Sequence, residues 1–136
     1  MNLRDLRLVG GGCRFEWLCP PVEAEAKAVL NLDPDARFEL APLIERLERG
    51  ALRTSKDGHR FQMVENEPWL FELTLNTTKP RLRLYFVEQS KVDGARAIGL
   101  MLTPKPTGTV DEQRARQNLD ARIAYRRFTA SRVEML

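Results

Sequence analysis

Histidine occurs once in this chain of 136 residues, and cysteine only twice. Cys13 and Cys19 fit no paired zinc spacing, and one His adds too little for a metal centre. No metal and no cofactor is expected. Two cysteines make no disulfide framework, and both are expected to stay reduced beside a strand. No apolar run approaches the roughly 20 residues of a membrane span. The N-terminus lacks a signal peptide's apolar region, so a cytoplasmic protein without membrane contact is expected. Gly10-Gly11-Gly12 is followed by no Gly-Lys-Ser/Thr and forms no phosphate loop; it suits a flexible joint. Internal repeats and low-complexity segments are absent.

What is present is a hydrophobic content of 43% with 30% charged residues, enough for one domain with a core. The net charge of +3 is unevenly spread. Residues 1–78 carry ten Lys/Arg against thirteen Asp/Glu, whereas residues 79–136 carry twelve against six. A basic C-terminal half suits a phosphate-rich partner, although charged surfaces are common.

Three strand-like runs at 69–75, 81–87 and 95–102 are separated by turn residues at hairpin lengths. Strand side chains alternate faces. Trp69, Phe71, Leu73 and Leu75 share one face with Leu82, Leu84 and Phe86, and with Ile98, Leu100 and Leu102. The other face carries Glu72 and Thr74, then Arg81, Arg83 and Tyr85, then Ala97, Gly99 and Met101. An antiparallel meander is expected, with a greasy face against helices and a partly basic face open to solvent.

Ahead of the meander, 14–18 alternates Phe15 and Trp17 with polar neighbours as a short strand, closed by Pro20-Pro21. Val22, Ala26, Val29 and Leu30 recur at helical spacing, and Asp33 before Pro34 caps a second helix. That helix buries Leu40, Leu43, Ile44 and Leu47, is disturbed by Pro42, and ends at Gly50. The acids of this αα-hairpin form a solvated face. After the turn at Asp57-Gly58 in a basic segment, a strand at 60–64 is expected to join the sheet beside 69–75. His59, in the loop before it, is the one side chain titrating near neutrality and a candidate general base. After the meander, Thr109 and Glu112 form a capping box for a helix at 110–128. Its apolar stripe is Ala115, Leu119 and Ile123, with Tyr125 and Phe128 left for further contacts.

This element order, with several local phrases, resembles the RelE/ParE superfamily of toxin–antitoxin toxins, in its HigB-like, phage-derived branch. The phrases are Phe15-Glu16-Trp17-Leu18 running into Pro21-Val22-Glu23-Ala24, then Leu43-Ile44-Glu45-Arg46-Leu47-Glu48-Arg49-Gly50, then Trp69-Leu70-Phe71-Glu72-Leu73. Arg83-Leu84-Tyr85-Phe86-Val87 is similar to the family's central strand. Leu100-Met101-Leu102-Thr103-Pro104-Lys105 is similar to its last strand.

The resemblance implies an α+β single domain over 13–128, with residues 1–12 a flexible or extra-strand extension and 129–136 a frayed tail. It implies a toxin inhibited by a cognate antitoxin protein and acting on mRNA at the ribosome. Cleavage by 2′-hydroxyl attack needs a base, a charge stabiliser and a proton donor. Arg83 and Lys105 match the family's basic positions, with His59 the candidate base and Tyr125 a guess for the acid. Arg81, Lys79 and Arg114 would hold RNA phosphates, and Tyr85 would stack on a base. A single Lys105 replaces the double lysine common after the last strand. The alternative is a non-enzymatic member that binds a protein target, as in ParE-like gyrase inhibition or an interaction kept by a mobile element.

Overall fold

The structure, a computed structural model, describes residues 13–49, 58–61, 70–75, 81–91 and 94–135. Strand β1 (Arg14–Trp17) leads into helices α1 (Pro20–Leu32) and α2 (Pro34–Glu48). Strands β2 (Gly58–Phe61), β3 (Leu70–Leu75), β4 (Leu82–Lys91) and β5 (Gly94–Pro104) follow, and helix α3 (Val110–Met135) ends the chain. The α+β architecture is as expected.

The sheet has five strands in the order β1-β5-β4-β3-β2. β2 to β5 are an antiparallel meander, while β1 adds in parallel at the β5 edge, so the sheet is mixed. The parallel seam explains an otherwise odd glycine. Gly99 lies opposite Trp17, and a Cβ there would fall 2.5 Å from Trp17 Cε3 and 2.7 Å from Phe15 Cζ. Those two rings pack edge to face, 5.2 Å apart, in the space a side chain would need.

The helix pair forms as its sequence dictates. Asp33 caps α2, its carboxylate accepting from the Asp35 amide at 3.0 Å. Pro42 is accommodated inside α2, which runs on to Glu48; Arg49 takes the C-cap position. The expected cap at Gly50 lies outside the described residues. Ala26, Leu40 and Leu47 meet Phe71, Leu73, Leu84 and Phe86 in an apolar layer, with the Phe71 and Phe86 rings stacked at 5.3 Å. Cys13 borders this layer, where burial, with Glu88 and Glu48 nearby, pushes its thiol up to about 11. It is a packing thiol, not a nucleophile.

Two expectations fail on the opposite side of the sheet. That face is not open: α3 lies across it, and Ala121, Ala124, Tyr125 and Phe128 are buried against Leu70, Tyr85, Val87 and Met101. Nor does β5 keep one alternation. Tyr85 pairs with Met101 and Phe86 with Gly99, so Leu100 is an extra residue and the strand is bulged. Ile98 and Leu100 therefore face α3, while Leu102 faces the hairpin layer. One inserted residue reverses every side chain beyond it.

Helix α3 also docks on a different stripe from the expected one. Leu119 is 47% exposed and Ala115 exposed, with Ile123 half-buried. The buried side is set by the larger Tyr125 and Phe128 rings. The helix continues through 129–135, which were expected to fray. Its start is as expected: the Thr109 hydroxyl accepts from the Glu112 amide at 3.2 Å and lies 3.1 Å from that residue's carboxylate.

Gly99→Ala is expected to destabilise the fold by about 1–3 kcal/mol through overpacking of the Trp17 and Phe15 rings. A lowered urea midpoint with unchanged slope checks it; an unchanged midpoint contradicts the packing at the parallel seam.

Candidate functional site

The residues singled out for chemistry separate into two groups, one beneath α3 and one at the end of the sheet. Arg83 is beneath. It sits on β4 between Thr74 of β3 and Thr103 of β5, and only 6% of it is exposed. Alternation turns Arg83 and Tyr85 toward α3, and burial there demands a counter-charge. Glu72, 1% exposed, supplies it: its Oε1 lies 3.5 Å from Arg83 Nε. The other Glu72 oxygen accepts from Gln117 Nε2 of α3 at 2.9 Å.

Asp120 completes this polar layer from the helix side. It is 1% exposed and pairs with Arg116 Nε at 3.1 Å, one turn back on α3. Burial raises the Asp120 carboxyl above its ordinary 3.8, against the lowering pull of Arg116 and Arg83. Tyr85 is fully buried, opposite Glu72. Burial first, and then the Glu72 charge, push its phenol upward. The packing is incomplete. Arg83 Nη1 and Asp120 Oδ2 find no hydrogen-bond partner among the described residues, and Arg83 Nε meets Glu72 only through the 3.5 Å ion pair. Each such atom costs about 1–3 kcal/mol against a satisfied one.

Tyr85, expected on an open face as a stacking platform, instead lies buried beneath α3. Arg83 is corrected in the same way as an open-face cation. Arg81 is exposed, and its carbonyl accepts from the Lys105 amide at 2.6 Å, so these two cations flank the sheet's end. Lys105 is half-buried. Arg114, exposed, lies one turn into α3, which starts five residues after Lys105. Arg122 and Arg126 extend the exposed cations along the helix. None of these three arginines pairs with an acid among the described residues.

His59 belongs to β2 rather than to a loop, in register with Glu72. Lys79 lies outside the described residues. Tyr125, the guessed acid, is 7% exposed within the α3 layer. Glu72, Asp120 and Gln117 were not singled out as functional. The available signal for Asp120 was its position as the lone acid between Arg114 and Arg127.

A cleft of about 290 Å³ lies elsewhere, between the start of α1 and the far half of α3, lined by Leu18, Val22, Glu25 and Arg127 among others. Arg127 closes one wall by a two-pronged bond to Glu25, 2.9 Å on each arm, and also donates to the Leu100 carbonyl. None of the expected site residues lines it. Among the described residues no His/Cys/Asp/Glu group could hold a metal, and no helix is long and apolar enough to cross a membrane.

Asp120→Asn tests the polar layer. An Asp whose titration is raised by folding favours the fold when protonated, and loses that advantage as pH rises above 3.8 through the raised value. The asparagine variant is expected to gain thermal stability relative to the unsubstituted chain as pH rises from acid to neutral. Parallel pH dependences for the two proteins would contradict the burial. Compared with protein-family models, with curated proteins and with solved structures, the chain finds no match in any of the three.

Proposed function

We propose that the chain is a growth-arrest toxin of the RelE/ParE kind that acts by binding its target rather than by cutting mRNA, with a cognate antitoxin protein as its inhibitor. The supporting observation is the burial of Arg83. A cation that stabilises a phosphorane must touch the reacting phosphate. Here α3 stands between Arg83 and any RNA, and Glu72 already occupies the guanidinium.

The surface left for a target is basic. Arg81, Lys105 and Arg114 gather where β4 begins, β5 ends and α3 starts, and Arg122 and Arg126 continue the charge. Such a rim attracts phosphate backbones without reading sequence, and its affinity falls with salt. RNA on the ribosome is the target class this charge suits. Cleavage by Arg83, Lys105 and His59 is the second possibility, and it requires α3 to leave the sheet.

Purified protein added to translating ribosomes is expected to slow translation with no new mRNA ends in primer extension. Arg114→Glu combined with Arg122→Glu is expected to weaken ribosome binding about tenfold or more. Ribosome-dependent mRNA cleavage that disappears in Arg83→Ala would overturn the binding proposal.

A further inference from the structure

Helix α2 has two apolar sides. Ala36, Leu40 and Leu47 are buried in the layer between hairpin and sheet. Opposite them, at the spacing of one helix face, run Pro34, Phe38, Ala41 and Pro42, all exposed. Phe38 is 81% exposed, and Leu32, 87% exposed, adjoins at the end of α1, where Asn31 accepts from Arg37. The outer face of a surface helix is ordinarily polar, and a contiguous apolar one marks a site of interaction.

What covers this stripe follows from where the chain enters the fold. Cys13 is tied to the C-terminal end of α2: its amide donates to the Glu48 carbonyl at 2.8 Å, and its thiol to the Leu47 carbonyl at 3.6 Å. The residues before Cys13 therefore begin at one end of the stripe. From Glu48 back to Phe38 is about 15 Å of helix, and residues 6–12 can span at most about 23 Å. Gly10-Gly11-Gly12 permits the turn around the helix end that this route needs. Beyond the glycines, Leu3, Leu6, Leu8 and Val9 supply apolar side chains, with Arg4 and Arg7 between them. Asp35 and Glu45, both exposed, flank the stripe where those arginines would lie, while Arg49 stays at the glycine end. A second copy of the chain fits less well. Pairing two such faces about Phe38 and Pro42 sets Asp35 of one copy against Glu45 of the other.

We propose that residues 3–9 dock along the outer face of α2, with Leu3 and Leu6 against Phe38, Ala41 and Pro42, and with Arg4 and Arg7 toward Asp35 and Glu45. The chain's own N-terminal segment is the occupant of the exposed side of the αα-hairpin, and a protein partner reading that side must first displace it. The function proposed above uses cations at the sheet's end and along α3, and is independent of this docking.

Thiol labelling of the full chain tests the docking, in a Cys13→Ser/Cys19→Ser background. Ala41→Cys reports the outer face of α2, and Asn118→Cys, at an exposed position of α3, is the control. Leu3→Asp combined with Leu6→Asp removes the apolar anchors without touching the described fold. The Ala41→Cys thiol is expected to label about fivefold faster in the double-Asp chain, the ratio for a segment docked about four-fifths of the time. The Asn118→Cys rate is expected to stay unchanged, and the protection of Ala41→Cys to be independent of protein concentration. Equal Ala41→Cys rates with and without the Asp substitutions overturn the docking, as does an equal rise at both thiols. Protection that grows with protein concentration overturns it too, and gives the face to a second copy.

Discussion

The arrangement of this protein turns on one pair, Glu72 and Arg83, buried side by side under a helix. A guanidinium buried at the centre of a sheet calls for a carboxylate beside it, because desolvation costs several kcal/mol per ion. Glu72 meets that need from the next strand. Gln117 then ties the carboxylate to α3, and Asp120 brings a second pair with Arg116. The helix is held to the sheet by apolar contact at one end and by charge at the other.

This division bears directly on function. On an uncovered sheet Arg83 would face solvent, whereas beneath α3 it is paired with Glu72. The proposed function rests instead on the exposed cations at the sheet's end and along α3.

Much of the fold was legible because local rules and tertiary packing agree there. Asp33 before Pro34, Thr109 with Glu112, and the spacing of Val22 with Ala26 and of Leu40 with Leu47 each locate an element and its buried side. The meander was legible from alternation and turn residues. The covered face was not, because Glu72, Arg83 and Tyr85 are the residue types of a solvated strand, and only their mutual pairing permits burial. The bulge at Leu100 was hidden for a related reason: Ile98, Leu100 and Leu102 alternate well in sequence, while the inserted residue divides them between two cores. The stripe of Ala115, Leu119 and Ile123 is not the docked face because Tyr125 and Phe128, whose rings bury more area, set the side of α3 that meets the sheet.

Proton exchange at the Arg83 Nε–H, followed by NMR beside that of exposed Arg114, tests the burial most directly. The structure predicts slower exchange at Arg83 by about two orders of magnitude, since water reaches it only when α3 lifts. Equal rates at the two arginines would mean that the face is open, and would return Arg83 to the solvent-exposed position its strand pattern suggests.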